Sequence, residues 1–349
     1  MENIDCVNRT LPGIHKCLQK RQCGRMVLVF VVLAIMIVGS VVLYVFSRTY
    51  AKAWRLGIDM SPAAFESIMA RTIPALVAMS MAAAAIAVVS LSFQTITQSR
   101  ILTASMIGFD AVFIASQTLI VFVFGANSQI FMNPYVNFFA ASGAMVAVSF
   151  FMYGFVLRSG TNNIIFLLMF GLVLSGILLN GARYLQIIMD TYDFYQVQAA
   201  INVNVNNINV SIIFIAVPIL AVLIIAIIMR HRRYNVMALG ADQAKSLGIP
   251  YEKELAVNLI LIAIGMSVAT ALIGSLTFLG LLAVNAAREC LKTHRHLPLF
   301  VCSAALAMLA LILGQGVVEL MLGAVPVTVI INLVGCSYVF YLILKENRV

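Results

Sequence analysis

Charge is scarce in this sequence. Only 10% of its 349 residues are Asp, Glu, Lys or Arg, whereas about 25% of a soluble globular protein is charged. Its six cysteines form no C-x-x-C pair, and it has a single tryptophan. It also lacks a G-x-x-x-x-G-K-[ST] phosphate loop, a Gly-x-Ser-x-Gly elbow and an H-E-x-x-H zinc motif. The scarcity of charge excludes a soluble globular fold. The missing motifs leave no residue pattern that predicts an enzyme.

Apolar residues make up 62% of the chain, and its mean hydropathy is +1.03. A helix needs about 20 apolar residues to cross a bilayer, and backbone groups in lipid must be hydrogen-bonded internally, so the spans are helices. The apolar runs therefore predict an all-α, multi-pass membrane protein. The ten predicted spans are 26–47, 72–92, 102–124, 134–157, 164–188, 210–229, 255–273, a short one ending near Ala287, 299–320 and 326–344.

The distribution of positive charge orients these spans. Seventeen of the 22 Lys and Arg residues lie in the termini and loops of one side, and such an excess marks the cytoplasm. The net charge of +9 is thus explained by the orientation of the chain in a lipid bilayer, and no nucleic-acid partner is predicted. We predict cytoplasmic tails at 1–25 and 346–349 around a permease domain at 26–345. No metal site is predicted; the alternative is a metal ion bound by Cys17 and Cys23.

The longest internal polar run is residues 230–254, which carry five basic residues and separate two apolar blocks. Within it, short helices are predicted on either side of Gly240, with a second break at Gly248–Pro250. The segment is either an ordinary solvated loop or a helix onto which another protein docks.

Several motifs resemble the FecCD-like family, the permeases of type II ATP-binding cassette (ABC) importers for iron chelates and cobalamin. LGADQAKSLGI resembles the segment that couples these permeases to their ATPase. GSLTFLGLLAVNAARE, from Gly274, resembles the family's G-x-I-x-F-x-G-L-x-x-P-H-x-x-R, with Val284 and Asn285 in place of Pro-His. GAVPVTVIINLVG resembles a later family motif, with Ala324 in place of Glu, and Ala75 replaces an Arg near Pro74.

Other pieces resemble a subgroup, the importers of catecholate and petrobactin-type ferric siderophores. They are FQTITQSRILT from Phe93, GFD from Gly108, LLAVN from Leu281, KTHRH from Lys292 and GQGVVE from Gly314. The resemblance implies a permease subunit of the bacterial cytoplasmic membrane that binds no cofactor itself. It also implies a second permease, a cytoplasmic ATPase subunit that uses ATP and Mg²⁺, an external siderophore-binding protein and a ferric siderophore as substrate.

The same resemblance nominates functional residues. The coupling residues are Val236, Ala238, Leu239, Gly240, Ala241, Ala244, Leu247 and Gly248, whose small members are expected to let the ATPase groove close around the segment. The family's pathway runs between the fifth and tenth helices of the two permeases, which nominates Ser175, Asn180, Gln186 and Asn332 here. Candidate contacts of the binding protein are Arg48, Lys52, Arg55, Arg71 and Glu319, all predicted near the external surface.

Asp110 is the charge predicted deepest in the membrane, about eight residues into its span, or ~12 Å. A carboxylate at that depth faces protein or water. It either belongs to the pathway or makes a hydrogen bond to a Ser, Thr or Gln of another helix.

Three alternatives to a siderophore permease stay open at this point. An ATP-independent secondary transporter would show broken helices in two related halves, with buried charges near mid-membrane. A cobalamin or heme importer permease would share the fold and differ in substrate. A membrane-bound structural or sensor subunit could be deleted without a transport defect.

Overall fold

The structure is a computed structural model that describes residues 24, 26–51, 62–158, 164–203, 210–321 and 326–346. These residues form helices and turns with no strand among them, which confirms the all-α membrane fold. The helices are α1 Met26–Thr49, α2 Pro62–Thr97, α3 Phe109–Phe124, α4 Gln129–Met132, α5 Pro134–Arg158, α6 Ile164–Ile188, α7 Thr191–Ile201, α8 Val210–Met229, α9 His231–Met237, α10 Ala241–Ser246, α11 Tyr251–Ile273, α12 Leu279–Leu291, α13 His296–Leu320 and α14 Val327–Glu346.

Within the described ranges, seven helices are long and apolar enough to cross a membrane, and two shorter apolar helices accompany them. The ends of α5, α6 and α8 lie within one residue of the predicted ends. The count of ten spans and the side on which the termini lie stay predictions.

Helix α2 forms the centre of the bundle and packs against α8, α11, α12 and α13. Its middle is rich in alanine, and Ala82, Ala83 and Ala85 have no exposed surface. Small residues let neighbouring helix backbones approach closely in a membrane. The buried core of the protein therefore surrounds α2, whereas α1 lies at the edge with only 11% of its span buried.

The helix that contains the second predicted span begins earlier than the span itself. Helix α2 begins at Pro62, ten residues before position 72, so Arg71 lies inside a helix rather than in a loop. Pro74 is consequently in the helix interior, not in the first turn. Hydropathy finds only the lipid-embedded part of a helix, and the polar turns that continue it beyond the membrane carry no such signal.

The third predicted span, residues 102–124, is not one continuous helix. A 3₁₀ turn covers Ala104–Ile107, and Gly108 has a left-handed backbone, with φ 115°. Helix α3 begins only at Phe109, so Asp110 lies in its first turn rather than eight residues inside a helix. A Cβ on Gly108 would meet Ser175 Oγ at 2.5 Å, so only glycine fits both this turn and its contact with α6.

Candidate functional site

The predicted coupling segment, residues 230–254, contains two short helices, α9 and α10, joined by a turn at Gly240. Gly240 and Gly248 have φ of 105° and 81°, a backbone conformation that glycine adopts without strain. Both predicted breaks are thus present. The first helix starts earlier than predicted, directly after α8, so the segment continues a predicted transmembrane helix without a linker.

An ion-pair cluster attaches the start of this segment to α11. Arg230 and Arg233 pair with the two carboxylate oxygens of Glu254, whose side chain is only 7% exposed. A buried carboxylate with both oxygens paired is costly to break, since removal of one partner leaves a charge without compensation. The cluster therefore holds α9 against the first turn of α11.

A second contact with α11 uses neutral groups. The Tyr234 hydroxyl donates to Asn258 Oδ1 over 3.0 Å, and the Asn258 amide donates to the sulfur of Met237. Burial raises the pKa of Tyr234 to about 12, so the phenol keeps its proton at neutral pH and acts as a donor. Both Tyr234 and Met237 are 1% exposed, so one face of α9 belongs to the protein core.

His296 joins three elements at the same end of the bundle. Its backbone N–H donates to Asn235 Oδ1, which makes that oxygen an acceptor, so Nδ1, 2.7 Å away, carries the ring proton. Nε2 lies 3.0 Å from the hydroxyl of Thr95 at the end of α2. The ring also stacks on Tyr234, with centroids 6.1 Å apart. The coupling segment is thus bonded to α2, α11 and α13 together.

Helix α10 contrasts with α9, since most of its surface is open. Leu239 and Leu247, on either side of it, are 53% and 62% exposed, and Ala238 and Gly248 are exposed as well. Exposed leucines on a polar segment mark a surface that a partner can cover.

Ala244 corrects the prediction that the small residues face a partner. It is fully buried in this chain's own core, and Ala241 packs partly against the same core. Their small size lets α10 lie close to the helices behind it. Of the eight predicted coupling residues, Ala238, Leu239, Leu247 and Gly248 are the ones at the surface, while Val236 and Gly240 are half-buried.

A separate polar cluster lies where α3 and α12 begin after irregular backbone. The Thr277 hydroxyl donates to Asp110 Oδ2 over 2.6 Å, and Ser105 Oγ donates to the Thr277 carbonyl over 2.9 Å. Irregular backbone at membrane depth requires such protein partners. A hydrogen bond from a threonine is the kind of partner expected if Asp110 only joins parts of the protein to each other. A role for Asp110 in the transport pathway stays a prediction.

The other predicted pathway residues are not gathered in one place. Gln186 donates to Thr118 over 2.9 Å and accepts from Gln198, which ties α6 to α3 and α7. Ser175 donates to the Gly171 carbonyl in its own helix. Asn180 lies on the exposed face of α6, and Asn332 on α14 keeps a buried Oδ1 without a partner among the described residues.

Glu319 is placed differently from its prediction as an external docking residue. It is 5% exposed, because the end of α1 packs over the end of α13 and covers it. Arg48 donates to the Tyr44 hydroxyl over 2.6 Å in that contact and is half-buried. Arg71 is exposed, whereas Lys52 and Arg55 lie outside the described residues.

Sequence reasoning missed the roles of Asn235, Asn258 and Glu254, which bond the coupling segment to the bundle. The sequence did single out two residues of this cluster, since Thr95 belongs to the FQTIT motif and His296 to the KTHRH motif. The two residues are 201 positions apart, and no periodicity in the sequence indicates that they touch.

These observations define a class of protein: an all-helical, multi-pass membrane protein in which a polar segment between two apolar helices is bonded to the helices at the centre of the bundle. Comparison with solved structures gives the same fold. One ABC transporter in an inward-facing conformation superimposes with a TM-score of 0.76 at 18% identity, covering 91% of this chain and 99% of the other.

Residues 26–345 match the FecCD transport family, and the chain belongs to it. It is 37% identical to the petrobactin import system permease protein YclO of Bacillus subtilis, over 80% of this chain and 89% of that one. It is 30% identical to the petrobactin import system permease protein FatC of Bacillus anthracis, over 72% and 71% of the two chains. The protein is a multi-pass permease of the bacterial cytoplasmic membrane.

Proposed function

We propose that this chain is one permease subunit of an ABC importer that carries a ferric siderophore of the petrobactin type into the cytoplasm. A partner ATPase hydrolyses ATP with Mg²⁺, and an external binding protein delivers the chelate. The siderophore specificity is supported by the two petrobactin permeases that the chain resembles over most of its length.

The observation that carries the proposal is the contrast between the two helices of the coupling segment. Leu239 and Leu247, which flank α10, are exposed, while α9 is bonded to α2, α11 and α13 through Glu254, Asn258 and His296. A force applied to α10 by an ATPase is therefore passed to the helices at the centre of the bundle. A free loop would transmit no such force.

The exposed faces of α6 and α14 support a second permease as partner. Val173, Ile177 and Ile187 on α6 are each more than 60% exposed, as are Leu333 and Phe340 on α14. We infer that these two faces meet the second permease around the pathway, with Asn180 as a polar group within the apolar stripe of α6. In this arrangement lipid covers the remaining exposed helices.

The decisive experiment replaces the exposed leucines. Leu239→Asp with Leu247→Asp is expected to leave the permease inserted and abundant, since neither side chain is buried. It should abolish co-purification with the ATPase and reduce uptake of iron-labelled petrobactin in a deletion strain to background. Asp242→Asn, at an exposed polar position of α10, is the matched control and should transport normally. Normal uptake by the double aspartate variant would rule out docking at this surface.

A further inference from the structure

A cavity of about 610 Å³ lies beside the coupling segment, between the end of α2, the α9–α10 turn and the connection from α12 to α13. Gln94, Arg100, Ala238, Asn285, Arg288 and Lys292 are among the residues that line it. The cavity is at the end of the bundle that carries most of the Lys and Arg residues, which is the predicted cytoplasmic end.

The lining of the cavity has a net positive charge, because three basic side chains, Arg100, Arg288 and Lys292, face one acidic one, Glu289. None of the three basic residues takes part in the ion pairs of Glu252 and Glu254. Burial, together with the charge of Arg100, lowers the pKa of Arg288 to about 10. Two neighbouring guanidinium groups repel each other, and an anion between them stabilises their charged forms.

Gln94 provides a second, independent sign of a missing ligand. Its side chain lines the cavity and is 1% exposed, yet neither its amide nitrogen nor its oxygen has a hydrogen-bond partner within the described part of the chain. Buried polar groups are nearly always paired, and an unpaired one costs free energy unless something else binds it. A primary amide offers two donors to an oxyanion, in addition to the arginines.

Three sequence pieces from distant parts of the chain meet here. Gln94 and Arg100 belong to FQTITQSRILT, Asn285 to LLAVN and Lys292 to KTHRH. Asn285 also donates to the Arg100 carbonyl over 3.0 Å, which fixes the position of that turn. Three of the five motifs by which the chain resembles its subgroup thus contribute side chains to one cavity.

We propose that this cavity is a binding site for a phosphate ester, held by Arg100, Arg288, Lys292 and the amide of Gln94. Its volume falls in the range of small-molecule sites and exceeds what inorganic phosphate needs, so the phosphate carries an organic group. Its place at the cytoplasmic membrane boundary favours the head group of an anionic lipid, because basic pockets between helices there bind such head groups. A soluble phosphate ester is the other source of the same chemistry.

The test uses the purified full-length chain in detergent and needs no ATPase, so its result is independent of the transport proposal. Thermal unfolding is measured while phosphatidylglycerol, phosphatidylcholine or soluble glycerol phosphate is titrated at constant ionic strength. A ligand of the folded state raises the unfolding temperature with concentration. Phosphatidylglycerol is expected to stabilise the protein more than phosphatidylcholine does, and stabilisation by glycerol phosphate alone would assign the site to a soluble ester.

Variants tie the effect to the cavity. Arg288→Gln is expected to weaken the apparent affinity for phosphatidylglycerol by about tenfold, the effect of one charge-assisted hydrogen bond. Gln94→Leu should unfold at a higher temperature without lipid, because it removes an unpaired buried amide, and should respond less to phosphatidylglycerol. Lys292→Gln, at an exposed position, provides the same test if Arg288→Gln does not fold.

Arg232→Gln is the matched control, since Arg232 is an exposed arginine of the coupling segment outside the cavity. It should bind phosphatidylglycerol as the unmodified chain does. Equal responses to phosphatidylglycerol in the unmodified chain and in all three cavity variants would overturn the proposal. So would the absence of stabilisation by all three probes.

Discussion

Two acidic side chains organise two polar clusters in this protein, and they are satisfied to different degrees. At the coupling end, both oxygens of Glu254 are paired with arginines. In the cluster where α3 and α12 begin, Asp110 accepts from Thr277 through Oδ2, while Oδ1 is buried without a partner in the described residues. The first cluster joins helices through charge, and the second closes broken backbone through hydroxyl groups.

The difference indicates where the bundle is rigid and where it can rearrange. Both oxygens of Glu254 are paired, so a displacement of α9 from α11 breaks two ion pairs, while only the buried Nε of Arg230 has no partner among the described residues. An unpaired oxygen offers a place for a new bond, and a rearrangement there costs less. We therefore expect the cluster around Glu254 to move as one body and the Asp110 cluster to be the place where the helices rearrange more easily.

The largest effect is expected at the rigid end. Glu254→Gln leaves Arg230 and Arg233 without an anion and should lower the free energy of unfolding by about 3 kcal/mol, the low end for a broken buried pair, because the arginines are partly exposed. Unfolding in mixed micelles with increasing sodium dodecyl sulfate measures this change. Glu252→Gln, which removes an exposed ion pair with Lys245, should change stability by about 0.5 kcal/mol or less. Equal effects of the two substitutions would contradict the proposed rigidity.

A smaller effect is expected behind α10. Ala244→Trp forces a large ring into a fully buried site and should cost about 2 kcal/mol through overpacking. The same unfolding assay, with the yield of folded protein, records it. Leu247→Trp is the control, because Leu247 is 62% exposed and a ring there has room. If Ala244→Trp proved as stable as Leu247→Trp, the side chain of residue 244 would have to face outwards.

The smallest effect is expected at the Asp110 cluster. Asp110→Asn keeps an oxygen that can accept from Thr277 and loses only the charge, so stability should fall by about 1 kcal/mol. A double-mutant cycle with Thr277→Val isolates the bond, and a coupling energy near zero would show that the pair contributes nothing. Uptake at equal protein abundance then separates the two interpretations of Asp110: a sharp loss supports a place in the pathway, and unchanged uptake supports a hydrogen bond between helices alone.

Much of the fold was predictable because hydropathy depends on local sequence. The ends of α5, α6 and α8 followed from apolar runs bounded by Pro, Asn or Arg. Helix α7 was missed because the stretch 191–201 is polar and gives no hydropathy signal. Its N-cap bond, from the Thr191 N–H to the Asp190 side chain, joins adjacent residues in a stretch that was predicted as a loop. The break before Asp110 was missed because Ile101–Gly108 is as apolar as a helix would be.

The candidate site was predictable only in outline. Gly240 and Gly248 indicated the turns of the coupling segment correctly, since a positive φ strongly favours glycine. The burial of Ala244 and Glu319 depends on which helix lies across them, and that information is tertiary. The same is true of the contact between Thr95 and His296, which is made by residues 201 positions apart.

The length of α2 has a mechanical consequence. Its 36 residues extend about 54 Å at 1.5 Å per residue, well beyond the ~30 Å hydrocarbon core. One helix therefore runs from Thr95, beside the segment proposed to dock the ATPase, to the turns at Pro62–Arg71 at the opposite end of the bundle. A tilt of about 5° about the inner end would move the outer end by about 5 Å. A helix of this length would carry a displacement at one end of the bundle to the other end without any intermediate element, and Pro74, which removes one bond from the helix ladder, lies within it.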